Sequence, residues 1–432
     1  MLRFLAIILT GIITSFYFFP FFFKAFPIQN TKNIMAAIGV ILLLVQLSRN
    51  KNACWNKDFI ILTLLAAGVS LIGFFSVVIN ETYDYSYASY VISMWIWMSA
   101  AYVVTNIIRK VHGYCSSFLV LNYLIGVCVV QCVLAILIEN FIPIKTFVDA
   151  YIEQGQGFLH KVERLYGIGA SLDVAGSRFS AVLISIALIL TRLKNTIYKD
   201  YIPFYILSFV AIAVMGNMIA RTTVLGLILG IIYLLGSVFK REENKRLWLW
   251  IMGVMLITIP ILVYIYNHNA ETRELFRFAF EGFFSLLEKG KWEVASNERL
   301  INVMVVFPDN LKTWLIGDGY FASPFETDPY YIGKVIGGYY MGTDIGYLRF
   351  IFYFGLIGLL FFIIYICRVT QVCVKNLKNL KIFFYLLLAL NLIVWFKVAT
   401  DIFLVFALFL MIDSVEDEKY NSQILSNNEN HL

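Results

Sequence analysis

A chain of 432 residues in which 60% are hydrophobic and 14% charged, with a mean hydropathy of +0.78, has too little polar surface for a soluble globule; this is the composition of a polytopic membrane protein. Its formal net charge of +6 sits largely in short segments between apolar runs, where it reads as a topology signal and excludes nucleic acid as a partner.

Crossing roughly 30 Å of hydrocarbon takes about 20 apolar residues, and twelve runs bounded by charge or turn residues approach that length. Phe4–Phe23 follows only Met1-Leu2-Arg3 and lacks a small-residue cleavage pattern, so it reads as a retained anchor. Ile34–Leu47, Phe59–Ile79, Tyr90–Ile108 and Phe118–Ile138 come next; Cys128 and Cys132, one helical turn apart in the last of these, read as packing residues. After a polar interval, Phe179–Leu193 precedes the nearly continuous apolar stretch Tyr201–Val238. As one helix that stretch would measure about 57 Å at roughly 1.5 Å per residue. It must turn back, and Gly216, Asn217 and Arg221-Thr222-Thr223 mark the turn, giving Tyr201–Ile219 and Thr222–Val238. Leu247–Tyr266, a second polar interval and Ile345–Cys367 follow. Ile382 to Ile412 reads either as two short spans, Ile382–Phe396 and Val398–Ile412, turning at Lys397–Asp401, or as one long tilted helix.

The expected fold is an all-α polytopic membrane protein of about twelve transmembrane helices with one large helical extracytoplasmic loop. Residues 1–266 hold the first nine spans and a smaller outer loop, 139–178. Residues 267–344 form the large loop, 345–412 the last three spans and 413–432 an acidic cytoplasmic tail. Orientation follows from Lys and Arg, which are richer in cytoplasmic loops. With both termini inside, the inner segments hold Arg49, Lys51 and Lys57, Arg109 and Lys110, Arg192 to Lys199, Lys240 to Arg246, and Arg368 to Lys381. The short outer turns hold only Lys24, Lys32, Arg221 and Lys397, and the acidic Glu81–Tyr90 turn also falls outside.

Two outer loops, Glu139–Arg178 and Asn267–Asp344, are too long for simple connections and carry cations that topology does not require. Arg164 and Arg178 lie in the first; Arg273, Arg277 and Arg299 lie in the second, with Arg349 just inside the next span. Leu275, Phe278, Ala279, Gly282 and Leu286 recur at helical spacing and predict one interfacial helix over Glu271–Glu288. A second helix is expected from Ser296 or Asn297 to just before Pro308, with Arg299 in its first turn, against the dipole unless an anion meets it. His160 and His268 also fall outside and read as ordinary polar-loop histidines.

No P-loop, HExxH, GxSxG, paired CxxC or DxD occurs, so neither a nucleotide nor a metal-held nucleotide sugar is indicated. Gly317-Asp318-Gly319-Tyr320-Phe321-Ala322 reads as a turn, and Gly226 with Gly230 as a close helix contact. Outward arginines without those motifs point to an anionic substrate activated before it arrives, such as a lipid pyrophosphate. Guanidinium groups bind phosphate oxygens bidentately and keep their charge.

Gly216-Asn217-Met218-Ile219-Ala220-Arg221-Thr222-Thr223 resembles the arginine-bearing turn of the O-antigen polymerase and O-antigen ligase superfamily. Asn297-Glu298-Arg299, Trp314-Leu315-Ile316-Gly317-Asp318-Gly319, Thr343-Asp344-Ile345-Gly346-Tyr347-Leu348-Arg349 and Gly355-Leu356-Ile357-Gly358 then follow in that family's order. Arg164-Leu165-Tyr166-Gly167-Ile168, ahead of Arg178, is similar to its smaller-loop pattern. The resemblance implies a GT-C-like glycosyltransferase of the bacterial inner membrane, independent of metal and cofactor and inverting at the transferred sugar. It implies undecaprenyl-pyrophosphate-linked oligosaccharide as substrate, with a chain-length regulator and a flippase as possible partners. Ligases of the family carry a histidine near the re-entry of the large loop; Tyr339-Tyr340-Met341-Gly342-Thr343-Asp344 has none, which favours polymerase. On this resemblance Asp344 and Arg299 are the expected catalytic residues, and Arg164, Arg178, Arg221 and Arg349 bind the lipid-linked sugar. Asp344 alternatively N-caps the following span. Lys397 and Asp401 either pair with each other or touch substrate. A flippase for the same lipids is the competing class, and few charges in the spans speak for it.

Overall fold

A computed structural model describes residues 2–49, 57–161, 164–193, 199–238 and 245–426, and 76% of it is helical. Cys54 and the side chains of His160 and Lys161 lie outside the described residues. Every apolar run predicted from the sequence carries a helix: α1 (Leu2–Phe18), α2 (Thr31–Arg49), α3 (Lys57–Ile79), α4 (Tyr90–His112), α5 (Ser117–Asn140), then, after two short helices α6 (Ile142–Tyr151) and α7 (Gln156–Lys161), α8 (Leu172–Leu193), α9 (Ile202–Ile219), α10 (Thr223–Val238) and α11 (Lys245–His268). The polar segment adds α12 (Ala270–Ala279), α13 (Glu281–Lys289), α14 (Ala295–Arg299) and α15 (Leu311–Leu315); α16 (Gly346–Asn376), α17 (Lys381–Val394), α18 (Phe403–Leu410) and α19 (Ser414–Ser426) close the chain. Among the described residues seven helices are long and apolar enough to cross a membrane: α3, α4, α5, α8, α9, α11 and α16. The protein is an all-α membrane protein. Shorter apolar helices accompany these, and Ile382–Ile412 is two helices, α17 and α18, with an intervening turn rather than one.

Burial separates the core helices from the lipid-facing ones. α8 is 89% buried across its apolar window, whereas α11 is 0% buried and exposes Leu249, Met252, Leu256 and Ile257. Such continuous apolar exposure is stable only against acyl chains. α8 packs against α10 with small residues between them: a Cβ on Gly226 would meet the Ser180 backbone, and Ser180 Oγ donates to Thr222 O at 2.9 Å. The Gly226 contact predicted from the sequence is thus present.

Polar connections at one end of the bundle interlock. A small antiparallel sheet, which an all-α reading did not foresee, joins β1 (Phe22–Phe23) to β2 (Phe26–Asn30) and to β3 (Ile152–Glu153). Asp84 Oδ2 accepts from Phe321 N (2.8 Å) and Ala322 N (2.9 Å), the Arg221 turn meets α13, and Lys397 meets the start of α8. At the opposite end Arg109 pairs with Glu416, Asp58 with Arg368 and Lys375, and Asp417 accepts from Ser117 N. The segments that charge counting assigns to two sides therefore gather at two ends.

Three sequence expectations need correction. Arg178 is not in a loop: α8 starts at Leu172, placing it in the second turn of a buried helix. The single helix over Glu271–Glu288 breaks at Phe280 (φ −117°, ψ 27°), because Gly282 seats the Trp292 indole and turns α13 back along α12. The second helix stops before Pro308 as expected but opens earlier, at Ala295 with Val294 as N-cap, and continues through a π-helical turn, Leu300–Met304, so Arg299 lies one turn in rather than in the first turn.

α16 kinks at Phe354–Gly355, where Gly355 adopts φ +70°. The break frees the Phe352 and Tyr353 carbonyls from helical partners. Asp318 N donates to Phe352 O (2.6 Å), Gly319 N to Tyr353 O (3.1 Å) and Ser76 Oγ to Tyr353 O (2.6 Å). Gly317 (φ +85°) lets the chain come that close, as a Cβ there would lie 2.6 Å from Phe354 N. Gly317–Gly319 is thus the turn that the sequence predicts.

Candidate functional site

The site grows from the α9–α10 turn. Asn217 caps nothing outward; its Nδ2 donates back to Ala213 O at 2.6 Å, and Thr223 Oγ1 donates to Gly216 O at 2.9 Å, so the turn is fixed from below. Arg221 then projects under the polar segment. Its Nη1 lies 2.6 Å from Glu281 Oε2 and donates to Ser296 Oγ at 3.2 Å, and its guanidinium stacks 3.9 Å from the Phe278 ring. Arg164 lies 5.1 Å from that same ring. Burial, with the Arg164 charge adding to it, lowers the Arg221 pKa against the opposing pull of Glu281. Above them α12, α13 and α14 line an open cavity of about 510 Å³ whose wall sets Arg221, Arg277 and Lys289 against Glu281, Glu288, Glu293 and Glu298.

Glu281 has a second task. Its Oε1 accepts from Ala295 N at 3.0 Å, at the start of α14. The anion expected at that helix start is thus a carboxylate of the chain itself, and it meets Arg221 rather than Arg299. Arg299 is exposed and makes no hydrogen bond or ion pair among the described residues.

Asp344 precedes α16. Ile345 occupies the N-cap position without a side-chain cap bond, so capping is not the role of Asp344 here. Its Oδ1 lies 3.6 Å from Arg349 Nη1. Arg349, one turn into α16, is clamped between the Phe321 (3.6 Å) and Tyr339 (4.6 Å) rings and donates to Phe321 O at 3.1 Å. It is covered on both faces, which makes it a positioning residue for Asp344. Burial pushes the Asp344 carboxyl up to about 7; Arg349 and Lys397 pull it down and Asp173 raises it. A carboxyl held there can accept a proton near neutral pH and release it again.

Asp173, in the first turn of α8, links the two halves. Its Oδ1 lies 3.0 Å from Lys397 Nζ and accepts from Thr222 Oγ1 at 3.2 Å, and its charge acts on Arg221, Tyr339 and Asp344 alike. Lys397 therefore pairs with Asp173, while Asp401 Oδ1 accepts from Phe403 N at 2.9 Å. Following cations alone passes over Asp173 and Glu281. An acidic residue immediately before an apolar run, at the end of a cation-rich loop, is the signal that points to Asp173.

No family model, curated protein or solved structure matches this chain. The site therefore stands on its own geometry. Arg164, Arg221, Asp173, Lys397, Asp344 and Arg349 form one connected constellation. Arg178 lies deeper, 6% exposed, with the Phe19 ring 5.8 Å away and the Tyr17 phenol and Asp401 carboxyl in its surroundings. Arg164, Arg178, Arg221 and Arg349 each keep a buried Nε without a hydrogen-bond partner, as does Arg368 at the opposite end, whose terminal nitrogen is paired with Asp58. A buried unpaired donor costs about 1–3 kcal/mol, more when charged, a cost that an anionic ligand removes. His268, by contrast, is exposed and stacks on Tyr264.

Proposed function

We propose that this protein is a polysaccharide polymerase of the O-antigen polymerase and ligase type, working on undecaprenyl-pyrophosphate-linked glycans. In this reading the chain crosses the bacterial inner membrane about twelve times, with both termini cytoplasmic and the 139–178 and 267–344 segments on the outer face. The observation that carries it is the set of buried, unpartnered arginine Nε groups gathered beside a carboxyl held near neutrality.

Arg164 and Arg221 take the pyrophosphate of the donor, and Arg178 adds its charge from within α8. A hydroxyl of the acceptor sugar attacks the anomeric carbon from the face opposite the pyrophosphate. The C–O bond to the leaving group breaks, its electron pair passes to undecaprenyl pyrophosphate, and the configuration inverts. Asp344 takes the hydroxyl proton, and the arginines stabilise charge as it develops on the leaving oxygen. Lys397 and Asp173 keep the two halves in register. Arg299, exposed and unpaired, is left with a contact to the glycan at the rim.

Purified protein incubated with the lipid-linked repeat unit and EDTA tests this. A ladder of longer lipid-linked glycans, lost in Arg221→Ala and Asp344→Asn, supports it. Movement of the intact lipid across reconstituted vesicles with no ladder overturns it in favour of a flippase.

A further inference from the structure

The long polar segment holds a second cavity, of about 360 Å³, whose walls differ in kind from the arginine site. Tyr320, Tyr330, Tyr331 and Tyr340 supply aromatic faces, and Asp309, Asp318 and Asp328 with Asn310 supply acceptors; no cation is among the lining residues. Tyr340 anchors the aromatic set, stacked 5.3 Å from Tyr320, 5.8 Å from Tyr331 and edge-on to Phe352 at 5.6 Å. Tyr330, by contrast, is 87% exposed at the rim.

The polar walls are fixed by bonds within the segment. Asp318 accepts from Thr313 Oγ1 (2.7 Å), Lys312 Nζ (3.2 Å) and Tyr340 Oη (3.3 Å), and Asn310 Oδ1 accepts from Thr313 N (2.8 Å). Asp309 and Asp328 each use one carboxylate oxygen, accepting from Asn310 Nδ2 (2.9 Å) and from Tyr330 N (2.9 Å). Their second oxygens have no hydrogen-bond partner among the described residues.

We propose that this cavity is a saccharide-binding cleft for a phosphate-free stretch of glycan, neutral or bearing amino groups. Sugar rings present polarised C–H bonds to the negative faces of aromatic rings, and their hydroxyls donate to carboxylate and amide oxygens. Three carboxylates against one cation, Lys312 on Asp318, leave the cleft net acidic and disfavour phosphate, so the cleft and the arginine site divide the two ends of one glycolipid. The chain path agrees. Tyr339 is extended (φ −92°, ψ 140°) and lays its ring on Arg349, while the next residue, Tyr340, faces the cleft. A glycan held there lies one residue away from the segment that carries Asp344.

The glycan source rests on the polymerase reading, whereas the cleft chemistry does not. Full-length protein in detergent, applied to an array of phosphate-free oligosaccharides from bacterial surface polysaccharides with sodium pyrophosphate as competitor, decides it. Wild type retains oligosaccharide and pyrophosphate does not displace it. Tyr330→Ala, at a residue too exposed to disturb folding, and Asp328→Asn each weaken retention about tenfold, the worth of one good contact, while Arg221→Ala leaves it unchanged. No retention by wild type, equal retention by Tyr330→Ala, or displacement by pyrophosphate overturns the cleft. Retention without any polymerisation defeats the polymerase reading alone; polymerisation by Tyr330→Ala at wild-type KM defeats the cleft alone.

Discussion

At the end of the bundle that holds α19, Asp58 lies 3.0 Å from Arg368 and 2.7 Å from Lys375, and Arg109 meets Glu416 at 3.0 Å. At the other end Arg164 and Arg178 lie against aromatic rings with no ion pair among the described residues, and Arg221 spends one terminal nitrogen on Glu281 and Ser296. The first end shows what this chain does with charge when the aim is to hold helices together: each buried acid meets its cations within the fold. The second pairs Arg221 with Glu281 and Arg349 with Asp344 but gives Arg164 and Arg178 no ion pair among the described residues, a cost that makes sense when the partner comes from outside.

Four substitutions can break or sharpen this contrast. Asp344→Asn has the largest expected effect, a loss of about 10²–10⁴ in polymerisation rate as for removal of a general base. In wild type the rate rises as pH passes about 7, because the ionised carboxylate is the acceptor, and the variant lacks that limb. Stability runs the other way. Between the ordinary aspartate value of 3.8 and about 7 the folded chain binds a proton that the unfolded chain has released. Wild type therefore loses stability as pH rises through that window, and thermal melts of Asp344→Asn across pH lack the slope. Arg221→Ala follows, lowering the rate about 10²–10³-fold with a modest fall in melting temperature from the orphaned Glu281; a melting shift with an unaltered rate per folded molecule would place Arg221 with the structural ion pairs instead.

Asp58→Asn tests the opposite end. It leaves two partly exposed cations near a neutral amide, so the expected cost is about 1–3 kcal/mol of stability, seen as a lower melting temperature with unaltered rate per folded molecule. Arg299→Ala is the smallest, a change of about twofold in KM at constant kcat, as for one exposed charge. A loss as large as that of Arg221→Ala would bring Arg299 into the constellation.

The helices were legible because their driving force is local: each apolar run is long enough to satisfy its own backbone in lipid. The turn at Arg221 was legible from length alone. Arg178 was misplaced because Leu172–Ser177 is mixed in polarity and its helix is decided by packing under Thr222 and Phe19, which sequence does not display. The break at Phe280 depends on Trp292 reaching Gly282 ten residues earlier, again a tertiary event. In the site, the cations stood out against an apolar background, whereas Asp173, Glu281 and Tyr339 join it through contacts remote in sequence, Asp173 with Thr222 and Glu281 with Arg221, or through a ring laid on Arg349.

The kink at Phe354–Gly355 also bears on modularity. Because Asp318 and Gly319 complete the backbone of α16, the end of the polar segment and the middle of a span are one piece of architecture. A graft of this segment into another membrane protein must therefore carry residues through Gly355 with it, or it will arrive with two donors and no carbonyls to receive them.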